Sequence, residues 1–178
     1  MLQMIRKATM GLALGLALVA AAPAATSAYS PEARTAEQVR KQIVKLPFYS
    51  IFDHVTFTLN DGVVTLDGEV YRPTLRKSAE RVAMKVEGVN RVVNNIEVLP
   101  LSPNDDRLRL AVARSIYTNS VLDRYAMGAN PSIHVIVRNG DVRLEGIVSR
   151  EMERNVAGLM ANGVPGVFSV TNNLRVAR

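Results

Sequence analysis

The chain has 178 residues, is 48% hydrophobic, carries a formal charge of +6 and contains no cysteine. The missing cysteine excludes disulfides, thiol redox chemistry, thiolate metal sites and a lipid-modified N-terminal cysteine. The positive balance suits anionic lipid head groups or polyanionic envelope polymers, and equally plain solubility.

Arg6 and Lys7 precede an apolar run from Ala8 to Ala22, which gives way at Pro23 to the small residues Ala24, Ala25, Thr26, Ser27 and Ala28. A charged start, a short apolar stretch and a small-residue zone, in that order, predict a secretory signal over residues 1–28, cut after Ala28. A membrane anchor needs about 20 apolar residues, and this run is shorter and ends in a helix breaker. The expected product is soluble in the periplasm, where it meets little nucleic acid. The leader takes two cations and no acid with it.

After a short segment at 29–34, Val39, Ile43 and Leu46 recur at helical spacing and predict a helix from about Thr35 to Leu46. Val55, Phe57 and Leu59 alternate with Thr56 and Thr58, as in a half-buried strand. Asn60, Asp61 and Gly62 give a hairpin turn into a second strand with Val64, Leu66, Gly68 and Val70. Pro73 opens a helix whose apolar stripe is Leu75, Ala79, Val82, Ala83 and Val86. Gly88 ends it, and Val92, Ile96 and Val98 make a last strand.

Residues 60–98 lie without gaps over residues 138–176 at an offset of 78, with 16 of 39 pairs identical. The second copy has a helix from about Asp105 to Tyr117, strands at Ile133–Val137 and Val142–Val148, a helix at about Arg150–Asn162 and a strand at Val167–Val176. The reading is an α+β protein with two tandem αββαβ domains, at 35–99 and 105–178, joined by a short stiff linker at 100–104. Each is expected to be a mixed three-stranded sheet with both helices on one face. Gly68 and Gly146 fall on the inward face of their strands and are expected to let a helix approach the backbone. Asn94 and Asn172 share the parity of inward valines, so each amide needs partners and is expected to tie a loop to the last strand.

Gly-x-Val-x-Leu-x-Gly-x-Val followed by Gly-Val-x-x-Val-x-Asn occurs twice: Gly62 to Val70 with Gly88 to Asn94, and Gly140 to Val148 with Gly166 to Asn172. In this the chain resembles the BON domain family over nearly all of its predicted mature length. The resemblance implies an αββαβ fold, no enzymatic activity, an envelope location and attachment to phospholipid surfaces or envelope proteins, with a link to membrane integrity under osmotic and envelope stress. In a lipoprotein relative the lipid contact is made through the second domain. This chain lacks the lipobox cysteine of that relative.

No catalytic constellation, cofactor site or small-molecule substrate site is expected. His54 and His134 are 80 residues apart against a repeat offset of 78 and are read as surface strand histidines without metal-ligand neighbours. Gly163-Val164-Pro165-Gly166 imitates a nucleic-acid-binding GxxG loop but joins a helix to a strand, the wrong setting for that clamp.

The leading helices of the two copies differ. The first turns Glu37, Lys41 and Lys45 outward. The second has an inward stripe of Leu108, Ala111, Val112 and Ile116, while Leu110, Ala113 and Tyr117 sit beside Arg107 and Arg114 on the other side. A helix apolar on two sides needs a second partner. The loop after it is nine residues longer than its counterpart and adds Val121, Leu122, Arg124, Tyr125 and Met127. Arg107, Leu110, Arg114, Tyr117, Leu122, Arg124 and Tyr125 are therefore the candidate binding residues, facing an anionic phospholipid surface or, alternatively, a protein partner or client. Packing of Leu110 and Tyr117 against the first domain is the competing reading. Phe48, Tyr49, Ile51 and Phe52 are expected to close the first core rather than to meet a partner.

Overall fold

The computed structural model describes residues 30–127 and 131–177. The predicted leader lies outside the described residues. Two helices and a hairpin-based sheet appear twice: α1 (Pro31–Val44), β1 (His54–Asn60), β2 (Val63–Val70), α2 (Pro73–Met84), β3 (Arg91–Asn94) and β4 (Glu97–Val98), then α3 (Pro103–Tyr117), β5 (Ile133–Arg138), β6 (Asp141–Val148), α4 (Glu151–Asn162), β7 (Ser169–Asn172) and β8 (Arg175–Val176). Both leading helices begin earlier than apolar spacing indicates, at Pro31 and Pro103. In each, a serine before the proline caps the first turn: the Ser30 and Ser102 hydroxyls accept from the N–H groups of Ala33 and Asp105. Proline at the first helical position costs no hydrogen bond, because that N–H has no partner within the helix.

In each sheet the second strand is central. It pairs antiparallel with the first strand and parallel with a third that is broken in two. The register repeats with the offset of 78: Val55 faces Gly68 and Leu66 faces Asn94, as Ile133 faces Gly146 and Leu144 faces Asn172. Both helices of a copy pack on one face. Val39 and Ile43 of α1 and Leu75, Ala79 and Ala83 of α2 share a buried cluster with Val64, Leu66 and Val70. Leu108, Val112, Ile116, Ala157 and Ala161 do the same with Val135, Val137, Val142 and Leu144.

The two asparagines explain the broken third strand. Asn94 Nδ2 donates to the Arg76 carbonyl at 2.9 Å and to Glu80 Oε2 at 3.0 Å, while its Oδ1 accepts from Ile96 N at 3.2 Å. Asn172 repeats this with the Arg154 carbonyl at 2.7 Å and Leu174 N at 3.2 Å. Each side chain therefore fastens a helix to the last strand and bridges the kink that lets the strand resume two residues later. The glycines act differently from the expectation. Gly68 and Gly146 have φ of +119° and +128°, and a Cβ there would lie 2.1 Å from the His54 carbonyl oxygen and 1.9 Å from that of Ser132. The close neighbour is the paired strand, not a helix.

The domains pack together through surfaces that the repeat does not relate. His134, Ile136 and Arg138 alternate on the face of β5 away from its helices, and Ile136 is only 2% exposed. Arg138 pairs with Glu97 (2.6 Å) and Glu69 (3.2 Å), and Arg143 pairs with Glu69. The turn before β1 reaches across: the Ile51 carbonyl accepts from Val135 N at 2.7 Å, and Phe52 packs against the second core.

Candidate functional site

Helix α3 is buried over a wider arc than its apolar stripe indicates. Besides Leu108, Val112 and Ile116, it buries Asp105, Arg109 and Ala113. Asp105 accepts from the N–H groups of Asn139 and Gly140, both at 2.9 Å, and so holds the β5–β6 hairpin to the first turn of the helix. Arg109 is 2% exposed; it pairs with Asp106, donates to the Val137 carbonyl at 2.7 Å and lies over the Tyr71 ring of the first domain at 4.9 Å. Tyr117 donates its hydroxyl to the Ile133 carbonyl, and burial pushes its pKa far up. The second apolar side of α3 thus has a partner, the edge of β5 together with Tyr71. Asp105 and Arg109 were not foreseen; helical spacing places both on the inward side, but burial of charge shows only once their partners are known.

Several expected binding residues are consequently structural. Leu122 is fully buried in the second core. It cannot meet an external partner, because it anchors the single 3-10 turn at Asp123–Ala126. Tyr117 is committed to β5. Tyr125 is half-buried, donating to Glu153 Oε2 at 2.7 Å and accepting from Ser149 N at 2.7 Å, and Arg124 pairs with Glu153 at 2.9 Å while stacking on the Tyr125 ring. Glu153 in turn accepts from Arg150 N at 2.9 Å in the first turn of α4. The loop is a brace for that helix.

What α3 leaves outward is Arg107, Leu110 and Arg114, one residue per turn along one ridge. Leu110 is 61% exposed. Arg107 reaches only Asn104, at 2.6 Å, and Arg114 has no ion-pair partner among the described residues. The acids of α3 are all spent: Asp105 on the hairpin and Asp106 on Arg109. On α1, by contrast, Arg40 and Lys41 are both paired with Glu37, an acid on its outer face. Phe48 is 67% exposed beneath Arg72, against the expectation that it closes the core; Tyr49 does pack there. Phe168, not singled out by the sequence, is 79% exposed and lies over Gly140, in the position that Asn90 takes over Gly62.

The histidines are not surface residues. Their rings meet at the domain junction with centroids 5.9 Å apart, beside Tyr49, and His54 Nε2 is 3.8 Å from Glu145 Oε2. Burial lowers the pKa of His134, opposed by the carbonyls of Asp53 and Ser50 and the charges of Asp53 and Glu145. Burial likewise lowers that of His54, opposed by Glu145 and reinforced by His134, Arg143 and Arg175. Below the ordinary value of 6.5 the unfolded imidazoles bind protons that the folded ones refuse, so stability falls with pH until the depressed folded values are passed. Thermal unfolding between about pH 7.5 and 5.5 is expected to show this loss, and His134→Gln is expected to reduce it. An unchanged acid loss in that variant places the proton uptake elsewhere.

No helix among the described residues is long and apolar enough to cross a membrane, and none of their His, Asp and Glu side chains gather in threes around a point that could hold a metal. A family model described as the BON domain matches residues 31–100 and again 104–178. The chain belongs to the BON domain family. Its two BON domains meet each other through the junction above. An "uncharacterized protein in gshII 5'region" of Anaplasma centrale is 30% identical over 130 residues, covering 72% of this chain and 85% of that protein. Two structures of CdsD, a structural protein of the type III secretion system of Chlamydia trachomatis, align over 80% of this chain and 96% or 92% of theirs, at 13% and 14% identity and a TM-score of 0.27.

Proposed function

We propose that this protein is an exported, non-catalytic module that attaches peripherally to anionic phospholipid surfaces of the cell envelope and supports envelope integrity under stress. The observation that carries this reading is the outer ridge of α3, where an exposed leucine stands between two arginines and the nearby acid, Asp106, is taken up by Arg109. Guanidinium groups fork onto phosphate oxygens, and a leucine between them can enter the head-group boundary. Membership of the BON domain family and the contrast with α1, where Glu37 holds Arg40 and Lys41, support the same assignment.

Vesicle co-sedimentation tests it. Each basic residue near an anionic surface contributes about 1 kcal/mol, so Arg114→Glu is expected to cost about 2 kcal/mol, roughly a 30-fold loss of binding. Leu110→Glu loses the apolar anchor and is expected to weaken binding comparably. Binding should fall steeply with salt and vanish on zwitterionic vesicles. Arg124→Glu is expected to lower the stability of α4 through Glu153 instead. Salt-insensitive absence of vesicle binding by the folded wild type overturns the reading and favours a protein partner on the same ridge.

A further inference from the structure

The two copies treat the outer edge of their first strand differently. On β5, the groups pointing away from β6 belong to Ile133, Val135 and Val137, and each of these residues is engaged: Tyr117 binds the Ile133 carbonyl, Ile51 takes Val135 N and Arg109 binds the Val137 carbonyl. By the shared register, their counterparts on β1 are Val55, Phe57 and Leu59. There only Val55 N has a described partner, the Tyr49 hydroxyl at 3.4 Å. Thr35 packs over Gly88 as Leu108 does over Gly166, and the helix ends Lys45 and Thr118 correspond, so Ala36 stands where Arg109 does and is too short to reach the strand edge. Arg40, one turn further on, pairs with Glu37 at 2.8 Å instead. Ile133, Val135 and Val137 are fully buried, whereas Val55, Phe57 and Leu59 are half-buried. A groove of about 860 Å³ remains between α1 and β1, lined by Ala33, Ala36, Glu37, Arg40, Lys41 and Phe57.

An open strand edge beside an apolar groove takes another strand. The geometry points to a second copy of this chain as the occupant, with β1 of each protomer paired antiparallel across a two-fold axis at Phe57. The strand reads Val55-Thr56-Phe57-Thr58-Leu59, the same residue classes in either direction. Antiparallel pairing about Phe57 sets Phe57 opposite Phe57, Val55 opposite Leu59 and Thr56 opposite Thr58, all favourable cross-strand pairs. The two Phe57 residues exchange both backbone bonds, flanked by Leu59 N–H to Val55 carbonyl on each side, so Tyr49 can keep Val55 N. This surface is separate from the α3 ridge and does not depend on the lipid reading.

The protein, purified as the cell processes it, is expected to sediment at twice the monomer mass. Phe57→Lys and Phe57→Glu should each be monomeric with an unchanged circular dichroism spectrum, and their equimolar mixture should recover the dimer. Because the chain has no cysteine, Phe57→Cys is a single-site probe: paired Cα atoms about 5.5 Å apart lie within disulfide reach, so it should cross-link on oxidation. Thr58→Cys, which faces Thr56 across the axis, should not. A wild type that stays monomeric at high concentration overturns the proposal, whether or not the edge accepts a peptide from another protein. A dimer that Phe57→Cys fails to cross-link overturns it too.

Discussion

Gly146→Ala is expected to unfold the second domain at physiological temperature. The added Cβ would lie 1.9 Å from the Ser132 carbonyl oxygen and 3.0 Å from its carbon, at a φ of +128° that L side chains rarely adopt. The clashing group is backbone, so no rotamer change relieves it, and moving Ser132 away pulls apart the ladder where Ile133 faces Gly146. Backbone strain of about 1–3 kcal/mol and the lost pairing beside it add to about 4 kcal/mol or more. A domain of this size has little more than that to lose. Gly163→Ala is the contrast: its φ is −77° and the nearest atom to a Cβ is 3.5 Å away, so this substitution should change stability by less than about 1 kcal/mol. Thermal unfolding followed by circular dichroism separates the two. A Gly146→Ala variant melting within a few degrees of wild type would show that the Ser132 carbonyl moves aside freely.

The repeat made the architecture legible, because each copy states the same strand parities, hairpin and asparagine. It could not say why Gly68 and Gly146 are glycine. Parity places them inward, but a positive φ leaves no mark in the pattern of neighbours. The α3 reading was correct in one respect: a helix apolar on two sides does have two partners. The second partner lies inside the molecule, since Tyr117 donates to β5, Arg109 lies over Tyr71 and Leu122 is buried in the core beneath the long loop. Of the candidates on α3, Arg107, Leu110 and Arg114 remain outward. The histidines were misplaced for a related reason. Non-equivalent positions in a repeat look unrelated, yet the junction between the domains is itself asymmetric and brings such positions together.

That asymmetric junction depends on one carboxylate. Asp53 is fully buried and accepts from Tyr71 N at 2.7 Å, Ser50 N at 2.9 Å and the Ser50 hydroxyl at 2.9 Å. These bonds close the turn that aims the Ile51 carbonyl at Val135 N and Phe52 at the second core, and they fix the start of the Tyr71 segment, whose ring lies under Arg109. Asp53→Ala leaves two half-buried backbone donors, Ser50 N and Tyr71 N, without their acceptor, at a cost of about 1–3 kcal/mol each. A total near 3 kcal/mol lowers the melting temperature of so small a domain by on the order of 10–20 °C. The turn serves both domains, so its loss should also uncouple them: one cooperative calorimetric transition in the wild type becomes two in the variant, the first domain melting first. Asp53→Asn, which keeps one acceptor oxygen, is expected to fall between the two. A single transition in Asp53→Ala within about 3 °C of the wild type would mean that the domains are held together by Ile136 and the Glu69 ion pairs without help from this turn.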